Sequence, residues 1–162
     1  MERREDKLKI KSITISGLVI AMYVVIMTLT QSFAFGAIQV RIATSLYALA
    51  YLCPFLVLPL GAANIISNML LGGLGFFDIF GGGLVGIITS LLVFGVRKFN
   101  LKLPLIMIPI IFVPGLVVPI WLSGLTGIDY RVLATSLCLG QVIPSMLGLL
   151  LVVTLKDKIG ER

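Results

Sequence analysis

The sequence predicts an all-α integral membrane protein, one membrane domain over 1–162 with six helical spans and both termini in the cytoplasm. Three observations carry this. The mean hydropathy is +1.14 and 59% of residues are hydrophobic, where a soluble domain has roughly 45–50%. Charged residues make up 12%, about half of the usual ~25%. The charges also collect between long apolar runs rather than along them.

Residues 1–11 form a short polar tail, with Arg3, Arg4, Lys7, Lys9 and Lys11 against Glu2, Glu5 and Asp6. The apolar run that follows is too long for a signal-peptide core and lacks a clean small-x-small cleavage site, so it is expected to be an uncleaved first span over 12–32. Gly17 and Ala21 make a small-xxx-small pair on it, a spacing that lets another helix come close. Residues 33–41 read as a loop or partly extended segment. The next 30 residues, 42–71, carry no charge and are interrupted by Pro54, Pro59 and Gly61. One span needs about 20 residues, and proline removes a backbone donor and clashes with the preceding turn. Two short spans, 42–53 and 55–71, are therefore expected.

Gly72 to Gly83 is the most unusual stretch, with six glycines, three phenylalanines and one acid, Asp78. A carboxylate beside membrane-length apolar segments costs several kcal/mol if unpaired and marks a candidate functional site. The plain alternative is a water-exposed loop in which Asp78 has no role. A fourth span is expected over 79–96, a fifth over 103–121 with Pro104, Pro109, Pro114 and Pro119 at intervals of five, and a sixth over 132–155. The fifth should be kinked, since its prolines leave carbonyls that neighbours have to satisfy.

Topology follows from the basic residues. Eleven of the 13 lie in the N-terminal tail, at Arg97, Lys98 and Lys102, or at Lys156, Lys158 and Arg162. Lysine and arginine mark cytoplasmic loops, and all three clusters face the cytoplasm only if the 42–71 run crosses twice. The loops bearing Arg41, Asp78, Asp129 and Arg131 then face outward, which suggests a polar pocket open to the outside. Basic residues that flank membrane spans read as lipid-headgroup and orientation signals, not as a nucleic-acid surface.

The chain has no histidine, and Cys53 and Cys138 lie singly in apolar runs, which argues against a metal or redox site and for no cofactor. There is no phosphate loop, HExxH or GxSxG motif. A membrane enzyme is therefore a poor reading, and no internal repeat supports a rocking secondary transporter. The polar residues near the outer ends are Gln39, Arg41, Thr44, Ser45, Asn64, Asn68, Asp78, Tyr130 and Gln141, with Phe33, Phe35, Tyr47, Phe76, Phe77 and Trp121 as aromatic neighbours. Asn64 and Asn68 share one helical face. Amides, a carboxylate and flat aromatics suit a planar heterocycle with N–H donors, although any single aromatic is as readily an interfacial anchor.

Phe35-Gly-Ala-Ile-Gln-Val-Arg41-Ile-Ala-Thr-Ser-Leu46 resembles the segment FGxxQxRISEAL of QueT-type transporters, and Asn68-Met-Leu-Leu-Gly-Gly-Leu-Gly-Phe-Phe-Asp78-Ile-Phe-Gly81 resembles their ANLLGGxGLLDxxFG. Leu139-Gly-Gln141 is similar to a late Gly-Glu position. The resemblance covers most of 33–97 well and the rest loosely. It implies a substrate-binding S component of an energy-coupling factor (ECF) transporter in a bacterial-type plasma membrane. Such a subunit captures a queuosine precursor, queuine or preQ1, from outside and topples to release it inside. It works with a module of one membrane coupling protein and two ATPases, which docks on small residues of the first helix, here Gly17 and Ala21. The implied substrate contacts are Gln39, Arg41, Thr44, Asn64, Asn68, Asp78 and Gln141. Where that family has Ser-Glu after Arg-Ile this chain has Ala43-Thr44, and Gln141 replaces the late Glu. The loss of two acids points to a neutral 7-deazaguanine and to the related QrtT type. The alternatives are an S component for another vitamin, such as a thiamine- or folate-like ring, or an assembly subunit with no ligand.

Overall fold

The computed structural model describes residues 2–34, 39–71 and 74–160; Phe35, Gly72 and Gly73, singled out above, lie outside the described residues. Among the described residues all regular secondary structure is helical. Helix α1 is Glu2–Leu29, α2 is the single turn Gln31–Ala34, α3 is Val57–Leu70, α4 is Phe76–Lys98, α5 is Met107–Thr126, α6 is Tyr130–Gly140 and α7 is Val142–Gly160. Three 3-10 segments complete it, at Ile42–Tyr51, Pro54–Leu56 and Leu103–Ile106.

Among the described residues, four helical stretches are long and apolar enough to cross a membrane: Leu8–Leu29, Phe76–Lys98, Leu103–Thr126 and Tyr130–Lys158. Two shorter apolar stretches, Ile42–Tyr51 and Pro54–Leu70, lie between the first and second of these. The protein is thus a multi-pass membrane protein of six helical passages. The polar tail is not a separate coil, because α1 already begins at Glu2. Its Glu, Arg, Lys and Leu are good helix formers. Asp78 is not in a loop either, since α4 begins two residues before it.

The passages alternate in direction. Tyr23 of α1 meets Tyr47, Asn68 of α3 meets Asp78 of α4, and Trp121 near the end of α5 returns to Asp78. Gln141 and Gly148 pair with Thr44 and with Ser45 and Ala48, so α7 runs parallel to the Ile42–Tyr51 segment. Arg97, at the far end of α4, donates to the Tyr51 and Leu52 carbonyls at 3.0 and 2.8 Å. Arg41 and Asp78 therefore lie towards one end, while Arg97 and the start of α1 lie at the other. This is the arrangement that the basic residues require, with the Arg97 end cytoplasmic.

The second passage is a ten-residue 3-10 helix, longer than the three or four residues usual for this form. At about 2.0 Å per residue it covers roughly 20 Å, less than the ~30 Å hydrocarbon core. It need not face lipid, because Ala43 to Ala48 are all buried among the other helices. The sixth passage is also interrupted, with Gln141 between α6 and α7. Pro144 has no N–H to give the Gly140 carbonyl, and that loosens the ladder there. In α5, Pro114 and Pro119 lie inside the helix and remove the donors for the Ile110 and Gly115 carbonyls.

Packing falls into two apolar clusters. The larger joins α1, the 3-10 passage, α3, the cytoplasmic end of α4 and parts of α5 and α7, with Tyr23, Met27, Tyr47, Leu60, Val93, Ile110 and Val152 fully buried. The smaller joins α4, α5 and α6 through Val85, Val118, Leu122, Leu133 and Leu137. The polar residues gather between the two.

Candidate binding site

Asp78 sits in the first turn of α4, where the helix dipole favours a carboxylate. It is only 3% exposed. One oxygen accepts from the Leu74 N–H at 3.2 Å. The other accepts a long 3.4 Å bond from the Trp121 indole N–H, whose ring lies against Gly81. Asn68, fully buried on α3, donates to the Asp78 backbone carbonyl at 2.9 Å.

One turn earlier on α3, Asn64 Nδ2 donates to the Tyr47 hydroxyl at 2.6 Å. That hydroxyl lies 3.1 Å from the Tyr23 hydroxyl on α1, and the two rings stack with centroids 5.8 Å apart. Gly82 is what lets α4 approach these amides. A Cβ there would lie 2.6 Å from Asn68 Nδ2 and 2.8 Å from Asn64 Oδ1, closer than side-chain atoms tolerate.

The 3-10 passage supplies the third wall. Residues three apart eclipse one another in a 3-10 helix, so Thr44 and Tyr47 project to one side, and Arg41, just before the helix, lines the same cavity. Thr44 Oγ1 lies 2.7 Å from the Arg41 carbonyl oxygen and 2.6 Å from Gln141 Oε1, at the α6–α7 break. Arg41 is 7% exposed and Gln141 not at all.

Arg41, Thr44, Tyr47, Asn64, Asp78, Gly82, Val85, Pro114, Val118, Leu137 and Gln141 line one cavity of about 10 Å³. That is room for roughly one water molecule. Its polar side is built by Arg41, Thr44, Tyr47, Asn64, Asp78 and Gln141, and its apolar side by the smaller cluster. Asn64 Oδ1, Asn68 Oδ1 and Gln141 Nε2 are buried with no hydrogen-bond partner. Such an atom costs about 1–3 kcal/mol, and native proteins hold only a few per hundred residues. Asn64 and Gln141 line the cavity and Asn68 lies behind it, so amide atoms with bonds still to make stand at this site.

Residues 13–157 match the QueT transporter family, a stretch that takes in the whole cavity. The chain belongs to that family. No curated protein and no solved structure gave a match. The matched family is QueT itself, so the missing acids at Thr44 and Gln141 do not remove this chain from it.

Five of the seven substrate contacts expected of this QueT-family chain come together in the cavity: Arg41, Thr44, Asn64, Asp78 and Gln141. Asn68 supports it from behind, through the Asp78 carbonyl. Gln39 stands apart. It is half-buried beside Gly140, whose backbone packs on the Gln39 carbonyl, and it does not line the cavity. Gly17 and Ala21 lie on the exposed side of α1, away from the face that carries Val19, Tyr23 and Met27. Tyr47 and Gly82 belong to the site although the polar inventory of the sequence passes over them. Their signal was positional, with Tyr47 three residues after Thr44 and Gly82 four after Asp78. Asp129 caps α6 by accepting from the Arg131 N–H at 2.8 Å, and Tyr130 donates to the Leu116 carbonyl at 3.0 Å. Both hold the outer loop together.

Proposed function

We propose that this QueT-family protein is the substrate-binding S component of an ECF-type importer. It captures a queuosine precursor (queuine, preQ1 or a related 7-deazaguanine) from outside. The observation that carries this reading is the cavity itself, where one carboxylate and two incompletely bonded amides, Asn64 and Gln141, meet between two apolar clusters. A carboxylate accepts two N–H donors side by side, which suits the ring N–H and exocyclic amino group of a guanine-like edge at Asp78. Asn64, supported by Asn68, and Gln141 would read the remaining polar atoms. Arg41 would face an acceptor, and Val85, Val118 and Leu137 would pack on the ring.

A cavity of about 10 Å³ is far smaller than the few hundred Å³ of a ligand-filled pocket, so the site widens to admit substrate. The subunit itself performs no chemistry on it. ATP hydrolysis belongs to two partner ATPases, coupled through a membrane protein that docks on the exposed Gly17 and Ala21 side of α1. Small residues favour such close helix contact.

The test is thermal stabilisation of the purified subunit by queuine, preQ1 and a panel of vitamins. A shift with a deazaguanine alone supports the reading. A shift with a different vitamin keeps the S-component role and discards the substrate. No shift with any of them, in a folded sample, favours an assembly role.

A further inference from the structure

Thr44 Oγ1 sits between two oxygens, the Arg41 carbonyl at 2.7 Å and Gln141 Oε1 at 2.6 Å. A hydroxyl has one proton to give. A backbone carbonyl can only accept it. With the Gln141 amide in this orientation one of the two contacts is oxygen against oxygen with no proton between, and it is repulsive. Turning the amide by half a revolution satisfies both: Thr44 donates to the Arg41 carbonyl and accepts from Gln141 Nε2. The orphan atom changes too. The atom without a partner in the starting orientation is Nε2; after the turn it is a carbonyl oxygen, which tolerates burial unpaired better than an N–H does.

We infer that Thr44 holds Gln141 through its amide nitrogen, so that Gln141 presents a hydrogen-bond acceptor to the cavity and selects a ligand N–H. Thr44 is the positioning residue and Gln141 the specificity residue. The other amides agree in sign. Asn68 donates to a backbone carbonyl, which fixes its Nδ2 and leaves Oδ1 over. Asn64 donates to Tyr47 and likewise leaves Oδ1. With Asp78, the site then offers acceptors on three walls, α3, α4 and the α6–α7 break. It favours a ligand edge rich in N–H groups over one rich in carbonyls and ring nitrogens. The ligand part of this inference rests on the proposed function; the orientation of Gln141 does not.

Two measurements test it. In the ligand-free, isotope-labelled protein, the Gln141 side-chain NH₂ signals should exchange slowly with water, should remain slow in Thr44→Ser and should become fast in Thr44→Val. Equal exchange in the wild type and Thr44→Val overturns the inference. In titrations with queuine and preQ1, Gln141→Leu, which removes the acceptor, should lose about tenfold or more in affinity. Wild-type affinity of Gln141→Leu for a compound that the wild type binds also overturns it. If the exchange data hold but neither compound binds the wild type, the orientation stands and the proposed substrate falls.

Discussion

The Tyr47 hydroxyl accepts a 2.6 Å hydrogen bond from Asn64 and lies 3.1 Å from the Tyr23 hydroxyl. One buried oxygen thus ties the cavity wall on α3 to α1, whose opposite side is exposed and carries Gly17 and Ala21. Tyr47→Phe leaves the Asn64 Nδ2 donor buried without a partner, at a cost of about 1–3 kcal/mol. The variant is expected to melt below the wild type and to bind ligand more weakly. Tyr23→Phe leaves the Asn64 bond in place and should cost less. Thermal unfolding of both variants in detergent checks the ranking, and a larger loss in Tyr23→Phe would contradict it.

Gly82→Ala puts a methyl group 2.6 and 2.8 Å from the two asparagine amides. Either the amides turn away or α4 moves out. Ligand affinity should fall by tenfold or more, about 1.4 kcal/mol, with helical content retained. Gly17→Ala is the matched control, because no atom lies within 4 Å of a Cβ there. Calorimetric titration of the pair should show loss in the first and none in the second.

Asp78→Asn keeps the shape of the side chain and removes its charge. The amide can accept from only one of the Leu74 and Trp121 N–H groups, and it sets its own NH₂ against the other. Affinity for a deazaguanine should drop by roughly 1.5–3 kcal/mol, the range for a hydrogen bond to a charged group. Binding measured on the purified variant checks this, and wild-type affinity would remove Asp78 from the site.

Gly17→Leu with Ala21→Leu fills the exposed side of α1 without touching its buried face. Ligand binding and melting temperature should match the wild type, while uptake in cells that carry the coupling module should fall to background. Retained uptake would place docking on another surface.

The legible part of the site consists of polar residues in apolar surroundings. Asn64 and Asn68 are conspicuous because they fall within an apolar run, Arg41 and Asp78 because they are lone charges beside one, and a helical period of four already puts the two asparagines on one face. Tyr47 is not legible that way. In an α-helix of 3.6 residues per turn it falls about a sixth of a turn from Thr44, whereas the 3-10 passage aligns Thr44 and Tyr47. Nothing in Ile42–Tyr51 announces that form. The break at Gln141 did have a local signal, Gly140 followed by Pro144, but the apolar run continues across it and reads as one span. Gln39 shows the converse. Its type and position fit a ligand contact, yet its side chain stays outside the cavity, a placement set by the packing of its backbone against Gly140.

The most direct measurement is calorimetric titration of the purified wild type and Asp78→Ala with queuine and preQ1. The account predicts saturable one-to-one binding of a deazaguanine by the wild type and none by Asp78→Ala, with both proteins folded. Binding of equal strength by both, or of neither compound by a folded wild type, would contradict it.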